Sequence, residues 1–276
     1  MEIIRKIKKL KINQIPDLNG WIGDAEFAMR QLAEYFHSDK KLNVLEIGCG
    51  IGILLSTIKE KYPNLNVEGI EPYQGGFGRL KIQEKILSSS IDVNYLEFEN
   101  FIPKKKYDII YSVNVFEHLS NWELYLKKTH EWLNPKGINI ILCPNYSFPY
   151  ESHFKIPIIG NKKLTYRIFK KKIKKFEKKN KSLGLWNSLN FVKMRSVKNY
   201  CLNNKLKFKY CNRIFDDVIN RIDQDQDFKK RQKFVGICAK YLKKIGIIKL
   251  FNKRVFYSFH PYMKLEITKD KFLSEK

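Results

Sequence analysis

The chain has 276 residues, of which 43% are hydrophobic, 14% aromatic and 29% charged. That composition excludes a disordered chain, and the length favours a single α/β domain with insertions. No stretch of about 18 uncharged apolar residues occurs, as a membrane span would need. Residues 1–10 alternate Ile with Lys and lack the apolar centre of a signal peptide. We therefore expect a cytoplasmic protein without a transmembrane segment.

The formal net charge of +25 comes mainly from lysine, because only nine of the 53 basic residues are arginine. A positive surface attracts phosphate, which makes nucleic acid and an anionic membrane candidate partners. Phosphate-reading surfaces usually recruit arginine, whose guanidinium binds phosphate with two hydrogen bonds. We therefore favour a compositional bias over nucleic-acid binding. The five cysteines form no CxxC pair, which is typical of reduced thiols in a core.

The first half of the chain alternates predicted strands with predicted helices. Asp24 is expected to cap a helix over 25–36, where apolar residues recur at helical spacing. The predicted strands are 43–47, 66–70, 92–96, 107–113 and 138–143, and the helices between them are 53–62, 78–88 and 122–133. This alternation predicts right-handed crossovers and a parallel sheet with helices on both faces.

The rhythm changes after Pro144, where a loop is predicted to lead into a lysine-dense helix. The further predicted elements are a basic helix within 162–181, a helix over 196–203, a strand over 206–210, an amphipathic helix over 227–245 and a closing strand over 263–268. We expect one domain, with its core at about 24–145, 195–212 and 262–269. Segments 146–194 and 213–260 are then basic helical insertions that cap the acceptor side.

The first predicted strand ends in a glycine-rich turn with the pattern Glu46-x-Gly48-x-Gly50-x-Gly52. Glycines at alternate positions let a ligand lie against the backbone and permit positive φ. The helix that follows directs its amide dipole at the turn and favours a carboxylate or phosphate there. Ile53 stands where a dinucleotide fingerprint needs glycine, and no P-loop motif is present. The turn therefore predicts a ligand site of another kind.

The second predicted strand ends at Glu71-Pro72, about twenty residues beyond the turn. A carboxylate at that place can accept hydrogen bonds from both hydroxyls of a ribose. The turn and the carboxylate together indicate a nucleoside-binding site at the carboxyl edge of the sheet. The alternative is a glycine-rich turn in an α/β protein that binds no nucleoside.

The turn resembles motif I of class I S-adenosylmethionine-dependent methyltransferases, which has an acidic residue two positions before the first glycine. The resemblance implies S-adenosyl-L-methionine as cofactor and a doubly wound, Rossmann-like sheet of seven strands flanked by helices. In that family the strand order is 3-2-1-4-5-7-6, with strand seven antiparallel. The implied cofactor-binding residues are Glu46, Gly48, Cys49, Gly50, Gly52, Glu71, Pro72, Phe98, Glu99 and Asn114. Phe98 and Glu99 stand where such enzymes contact the adenine ring.

The run from Asp108 to Leu119 resembles the fourth-strand region of ubiquinone-pathway O-methyltransferases, which carries an aspartate followed further on by E-x2-E-H. Asn114 replaces the first Glu of that run, whereas Glu117 and His118 match its end. The same run resembles that of small-RNA 2′-O-methyltransferases, which bind a divalent metal through it. Because a neutral amide is a poorer ligand for hard cations than a carboxylate, we expect no metal.

Two histidines are candidate catalytic residues. Methyl transfer to a hydroxyl needs a base, and imidazole suits that role near neutral pH. His118 follows the fourth predicted strand and His153 follows the fifth, so both lie towards the ligand-binding edge of the sheet. Aromatic and proline neighbours of His153 could form a wall around an acceptor, which favours it. Glu117 is expected to support the structure by pairing or capping.

The sequence therefore predicts methyl transfer from S-adenosyl-L-methionine to a small-molecule, glycan or lipid-linked acceptor, at a hydroxyl oxygen. The glycan and lipid-linked acceptors follow from a loose resemblance of the segment after strand five to methyltransferases of cell-surface glycan and lipid-linked sugar pathways. RNA 2′-O-methylation is one alternative. A non-catalytic nucleoside-binding module is another.

Overall fold

The computed structural model describes residues 18–73, 91–246 and 248–269. Its strands are β1 (Asn43–Ile47), β2 (Asn66–Ile70), β3 (Asp92–Asn94), β4 (Tyr107–Val113), β5 (Leu133–Pro144), β6 (Tyr150–Glu151), β7 (Ile156–Pro157), β8 (Lys207–Tyr210) and β9 (Tyr262–Thr268). Its α-helices are α1 (Leu18–Leu32), α2 (Ile53–Lys61), α3 (Trp122–Trp132), α4 (Lys162–Lys179), α5 (Leu185–Ser188), α6 (Met194–Asn203), α7 (Arg213–Gln224), α8 (Gln226–Lys244) and α9 (Ile248–Phe251).

One sheet contains seven of these strands, in the order β3-β2-β1-β4-β5-β9-β8. Strands β1 to β5 pair in parallel, and β9 runs antiparallel to both of its neighbours. The predicted order was 3-2-1-4-5-7-6. Its numbers differ from the observed ones because the prediction did not include the short strands β6 and β7, which form a separate two-stranded sheet. The strands predicted as sixth and seventh are therefore β8 and β9. The predicted α/β fold with a mostly parallel sheet is confirmed.

The core lies on both faces of this sheet, because side chains alternate along each strand. Val44, Ile109 and Ile140 belong to a buried cluster on one face, which includes residues of α1 and α2. Leu45, Ile110 and Ile141 belong to a cluster on the other face, which includes residues of α3 and α6. The carboxyl ends of β1, β2 and β4 consequently meet at one edge, held between two packed layers.

The first helix differs from its prediction. It begins at Leu18, so Asp24 lies inside it and does not cap its N-terminus. Asp24 instead accepts a hydrogen bond from the buried guanidinium of Arg221, at 2.7 Å. The prediction was wrong because the apolar periodicity extends upstream of Asp24, and because Arg221 is almost 200 residues away in sequence.

Other boundaries also moved. Strand β5 begins at Leu133, before its predicted start at 138, and its register with β4 shifts in this added part. The structure adds α7, which buries Ile214, Phe215 and Ile219. The helix predicted at 78–88 lies outside the described residues. Among the described residues, no helix is long and apolar enough to cross a membrane.

Candidate active site

The glycine turn after β1 has the left-handed backbone that its sequence predicts. The φ angles of Gly48, Gly50 and Gly52 are +75°, +54° and +78°. The amides of Gly48 and Cys49 donate to the carbonyl of Ile70, at 2.8 and 3.2 Å, which ties the turn to the end of β2. Helix α2 begins directly after Gly52. The turn is therefore a fixed backbone loop at the carboxyl edge of the sheet.

The three glycines face different surroundings. A Cβ atom on Gly48 would lie 2.3 Å from Cγ2 of Val115, and one on Gly52 would lie 2.5 Å from Cδ1 of Ile91. A Cβ atom on Gly50 would meet no atom of the described residues within 4 Å. Gly48 and Gly52 are thus required by packing, whereas Gly50 borders open space where a ligand has room.

Glu71 supports the turn directly. Its Oε2 atom accepts a hydrogen bond from the amide of Gly50 at 3.0 Å, and its Oε1 atom accepts one from the amide of Tyr73 at 3.1 Å. The Tyr73 hydroxyl donates to the carbonyl of Gly50 at 2.6 Å. Burial raises the pKa of Glu71, and these two backbone hydrogen bonds oppose that shift. Each carboxylate oxygen keeps a further lone pair for a ribose hydroxyl.

Glu46 is buried beneath the turn. Its Oε2 atom accepts a hydrogen bond from the hydroxyl of Tyr111 at 2.9 Å. Burial raises the pKa of Glu46 to about 8, against the opposing effect of that hydrogen bond. In the cofactor-free protein Glu46 is therefore mostly protonated at neutral pH.

The raised pKa of Glu46 predicts a pH-dependent stability. Between its ordinary value of 4.5 and its folded value of about 8, the folded protein keeps a proton that the unfolded chain releases. Folding stability therefore falls as the pH rises through this interval, and levels off above it. The glutamine side chain of Glu46→Gln cannot ionise. The melting temperature of this variant minus that of wild type should therefore increase from pH 5 to pH 8. Parallel melting profiles of the two cofactor-free proteins would contradict this.

Gly48→Ala should destabilise the fold. The added methyl overlaps Val115, and alanine is strained at a φ of +75°. We expect a loss of about 2–4 kcal/mol in the free energy of unfolding, measured by denaturant titration. In the double variant with Val115→Ala, the part of this loss that comes from overlap with Val115 should be recovered. The part that comes from backbone strain at position 48 should remain. If the losses from the two substitutions simply add, the contact is not the cause.

The remaining predicted cofactor residues lie around this turn. The Cys49 side chain is buried, and its sulfur would lie 2.6 Å from a Cβ atom on Gly69 of β2. Pro72 follows Glu71 and is half-buried. The Phe98 ring is buried in the core against Tyr125, with ring centroids 5.7 Å apart. The ring of Phe98 is thus covered by the core, and its contact with the adenine ring stays a prediction.

Two further predicted residues have defined partners. Glu99 is half-buried, its backbone carbonyl accepts a hydrogen bond from Lys128 at 2.9 Å, and burial raises the pKa of its side chain. Asn114 follows β4 with a φ of +54°, and its Oδ1 atom accepts a hydrogen bond from Tyr262 at 2.8 Å. Asn114 therefore joins the end of β4 to β9.

A second cluster lies one turn beyond Asn114. Ligand atoms of Glu117, His118 and His153 all lie within 4.8 Å of one another. Glu117 and His118 belong to a 3-10 turn that starts at Phe116, and His153 lies between β6 and β7. The structure thus brings both predicted catalytic histidines together, with ring centroids 5.3 Å apart. Because Val115 packs on Gly48, this cluster is close to the glycine turn.

Glu117 has an environment that the sequence did not predict. Its side chain is fully buried, and neither carboxylate oxygen has a hydrogen-bond partner among the described residues. The nearest cationic candidate is the His118 ring, whose Nε2 atom is 3.8 Å from Oε1. Burial raises the pKa of Glu117 to about 7, although the charge of His153 opposes the shift. The expected role of Glu117 in pairing or capping stays a prediction, and its contact with His118 is the one pairing that the described residues offer.

Each histidine uses its Nδ1 atom for a structural hydrogen bond. The Ser188 hydroxyl donates to the carbonyl of Leu185, so its oxygen accepts from Nδ1 of His118 at 2.9 Å. Nδ1 of His153 donates to Glu151 at 2.6 Å. Burial lowers the pKa of His118 to about 3. Burial also lowers the pKa of His153, but the charge and hydrogen bond of Glu151 outweigh it and raise the value to about 9.

Three supporting residues were not assigned from the sequence. Glu151 is buried and accepts hydrogen bonds from the amides of His153 and Phe154, at 3.2 and 2.7 Å. The Asn190 side chain donates to the carbonyls of Phe116 and Leu119, at 2.7 and 3.0 Å, and so holds the turn that contains Glu117. Ser188 orients His118. The Glu-x-His spacing could have indicated Glu151, whereas Ser188 and Asn190 lie about 70 residues from their partners.

One aromatic neighbour of His153, Phe154, packs into the insertion and so does not line an acceptor space. Phe154 is buried in the insertion between Phe176 and Trp186, with ring centroids 5.0 and 5.5 Å away. These residues belong to a separate small core that helix α4 covers. The outer face of α4 is strongly basic. Its exposed cations are Lys163, Arg167, Lys170, Lys171, Lys172, Lys174, Lys175, Lys178 and Lys179.

The sheet, the glycine turn and Glu71 define a Rossmann-like methyltransferase of the S-adenosylmethionine-dependent class. A model of the methyltransferase domain family matches residues 22–191, which is more than half of the chain. The chain therefore belongs to that family. The predicted enzyme class and its cofactor, S-adenosyl-L-methionine, are confirmed at the level of the family.

Two of the three curated relatives described here are methyltransferases by name, and they act on different acceptors. An uncharacterised protein of Mycobacterium tuberculosis is 29% identical over 194 residues, which cover 68% of this chain and 66% of that protein. A ubiquinone biosynthesis O-methyltransferase of Bradyrhizobium diazoefficiens is 27% identical over 43% of this chain and 45% of its own. An (S)-tetrahydroprotoberberine N-methyltransferase of Eschscholzia californica is 34% identical over 44% of this chain and 35% of its own. The matched part of the chain spans less than two thirds of each relative.

Solved structures support the fold. The plantazolicin methyltransferase BpumL, solved in complex with a triazolic desmethylPZN analog and SAH, superposes with a TM-score of 0.52. The match covers 97% of this chain and 91% of BpumL, at 14% sequence identity. At this identity the similarity concerns the arrangement of strands and helices alone.

Proposed function

We propose that the protein transfers the methyl group of S-adenosyl-L-methionine to a hydroxyl oxygen of a small-molecule, glycan or lipid-linked acceptor. The observation that carries the proposal is the cluster of Glu117, His118 and His153 beside the glycine turn. The cofactor supplies an activated methyl group on a sulfonium, so the protein must chiefly align the acceptor, exclude water and receive a proton.

The cluster can receive the proton of a hydroxyl. Because the Nδ1 atom of His118 donates to Ser188, its Nε2 atom is the one that can accept a proton, and the pKa of about 3 makes it a weak base that depends on Glu117 for this role. Glu117 lies 3.8 Å from that nitrogen and can stabilise the imidazolium that forms. As the acceptor oxygen bonds to the methyl carbon, the carbon–sulfur bond breaks and S-adenosylhomocysteine leaves. The hydrogen bond from Nδ1 of His153 to Glu151 keeps the His153 ring in one orientation beside Glu117 and His118.

The acceptor class is supported by charge and by one relative. The ubiquinone biosynthesis O-methyltransferase, which is 27% identical over 43% of this chain, acts by its name on oxygen. The basic face of α4 would suit an acceptor that carries phosphate, or an anionic membrane beside a lipid-linked one. RNA is the second candidate acceptor, because the same lysines could follow a phosphate backbone.

An isotope experiment tests which atom is methylated and which class of acceptor carries it. The purified chain is incubated with S-adenosylmethionine carrying a 13C-methyl group and with extract of cells that lack the protein. We expect a new O-methyl resonance in a small-molecule or lipid fraction, absent when Gly50→Ala replaces wild type. A label on nitrogen or carbon would contradict the oxygen assignment. A label in RNA would favour the second candidate, and binding without any transfer would favour a non-catalytic module.

A further inference from the structure

Helix α4 is more basic than the composition of the chain explains. Ten of its 18 residues are cationic and one is acidic. In the whole chain 53 of 276 residues are basic, so an even spread of lysine would put about three or four cations in a helix of this length. The charge of α4 is therefore a local feature, distinct from the overall lysine bias.

The cations of α4 have no carboxylate partner among the described residues. The one acid of the helix, Glu177, is half-buried and accepts a hydrogen bond from the amide of Trp186 at 2.9 Å, so it is turned away from the outer face. Lysines four residues apart on the outer face, such as Lys171 and Lys175, repel each other and destabilise a helix. An anionic partner would relieve that repulsion.

Two aliphatic side chains lie on the same outer face. Leu164 is 41% exposed and Ile168 is 55% exposed. With Lys171 and Lys175 they follow the spacing i, i+4, i+7 and i+11, which places all four along one stripe of the helix. The opposite face buries Ile173 in the small core. Exposed aliphatic side chains among lysines are typical of helices that lie on a membrane surface.

The outer face lacks the groups with which proteins usually hold RNA bases. Such surfaces stack bases on exposed aromatic rings and on arginine. The three aromatic residues of α4, which are Tyr166, Phe169 and Phe176, pack against the small core, and Arg167 is the one arginine of the helix. Aliphatic side chains gain little from a phosphate backbone, but they are stabilised when they leave water at the acyl boundary of a bilayer. An anionic bilayer therefore fits this face better than RNA.

The inner face of α4 contacts the loop that contains His153. The ring of Phe154 packs on Phe176, with centroids 5.0 Å apart, and Nζ of Lys172 donates to the carbonyl of Lys155 at 2.8 Å. The outer face lies one helix diameter away, which is about 10–12 Å. A bilayer on the outer face would therefore lie close to the cluster of Glu117, His118 and His153.

We propose that the outer face of α4 binds the surface of an anionic lipid bilayer. Its lysines would contact the headgroup phosphates, and Leu164 and Ile168 would enter the acyl boundary between them. The contact would hold the His153 loop beside the membrane, where the hydroxyl of a lipid-linked acceptor is accessible. This role in presenting the acceptor rests on the proposed function, whereas binding of the bilayer does not.

Vesicle sedimentation tests the surface without cofactor or acceptor. The full chain is mixed with sucrose-loaded vesicles of phosphatidylcholine, either alone or with about 30 mol% phosphatidylglycerol, and the bound fraction is measured after centrifugation. We expect binding to the anionic vesicles alone. Binding should be lost at about 1 M NaCl, where the screening length falls to about 3 Å.

A charge reversal on α4 has a matched control elsewhere on the surface. Lys171→Glu combined with Lys175→Glu should weaken binding to the anionic vesicles at least about tenfold. Lys40→Glu combined with Lys41→Glu makes the same change in net charge at exposed lysines before β1, and should bind within about twofold of wild type. Because all four lysines are exposed, both double variants should keep the melting temperature of wild type.

A second pair of substitutions separates a bilayer from RNA. Leu164→Ser combined with Ile168→Ser should weaken binding to the anionic vesicles at least about fivefold, because less aliphatic area leaves water. The same variant should bind poly(U) RNA as wild type does, since phosphate contacts are made by the lysines.

The outcomes separate this surface from the proposed function. Absence of binding to the anionic vesicles, equal binding to neutral ones, or a control pair that loses as much binding as the α4 pair would overturn the proposal. Tighter binding to poly(U) than to anionic vesicles, with both unaffected by the serine pair, would overturn it in favour of RNA. A chain that binds the vesicles but methylates no hydroxyl would overturn the proposed function alone. Methylation of a hydroxyl without vesicle binding would do the reverse.

Discussion

Gly50→Ala is expected to abolish most cofactor binding while the fold is kept. A Cβ atom on Gly50 would meet nothing within 4 Å among the described residues, so the added methyl enters the space assigned to the cofactor. The αL backbone of Gly50, with φ at +54°, adds a strain of about 1–2 kcal/mol for alanine. Calorimetric titration with S-adenosylhomocysteine should show a loss of affinity of at least about tenfold, or 1.4 kcal/mol.

Gly246→Ala is a matched control for that strain. Gly246 follows α8 with a φ of +74°, and a Cβ atom there would also meet no atom of the described part of the chain within 4 Å. Both variants should lose similar stability, but only Gly50→Ala should lose affinity. Equal affinities in the two variants would show that the space beside Gly50 does not hold the cofactor.

The second large effect is expected in the cluster beyond β4. Glu117→Gln and His153→Ala should each lower the rate of methyl transfer by about 100-fold or more, because Glu117 stabilises the His118 imidazolium that receives the hydroxyl proton and the His153 ring packs beside it. Affinity for S-adenosylhomocysteine should stay within about twofold, since the glycine turn and Glu71 are untouched. The rate is measured as transfer of labelled methyl to the acceptor found by the isotope experiment.

A structural role for the cluster would give a different pattern. If Glu117 served packing alone, Glu117→Gln would change the melting temperature and leave kcat as it is. His37→Ala controls for general effects of removing imidazole, because His37 is exposed and precedes β1. An unchanged kcat in both Glu117→Gln and His153→Ala would remove the cluster from the mechanism.

The local parts of the site were predictable from the sequence. The bounds of β1, β2 and β4 were predicted as the structure has them, because compact apolar runs ended by glycine, glutamate or asparagine have a strong local signal. The left-handed turn followed from its three glycines, and the place of Glu71 followed from the spacing of two parallel strands. These features depend on residues close together in the chain.

The non-local parts were not predictable in this way. Nothing in the sequence indicates that Val115 covers Gly48 or that Asn190 holds the turn around Glu117, because each contact joins segments about 70 residues apart. The short strands β6 and β7 have two residues each, too few for a periodic pattern. Asp24 was read as a cap because a short acidic residue before an apolar helix usually is one. Its pairing with Arg221 depends on tertiary packing.

The most direct measurement is a crystal structure of the chain with S-adenosylhomocysteine. The nucleoside should lie along the turn from Gly48 to Gly52, with its ribose hydroxyls within hydrogen-bonding distance of Glu71 and its sulfur towards His118 and His153. Density for the nucleoside elsewhere, with Tyr73 still closed over Gly50, would contradict the assignment of the turn as the cofactor site.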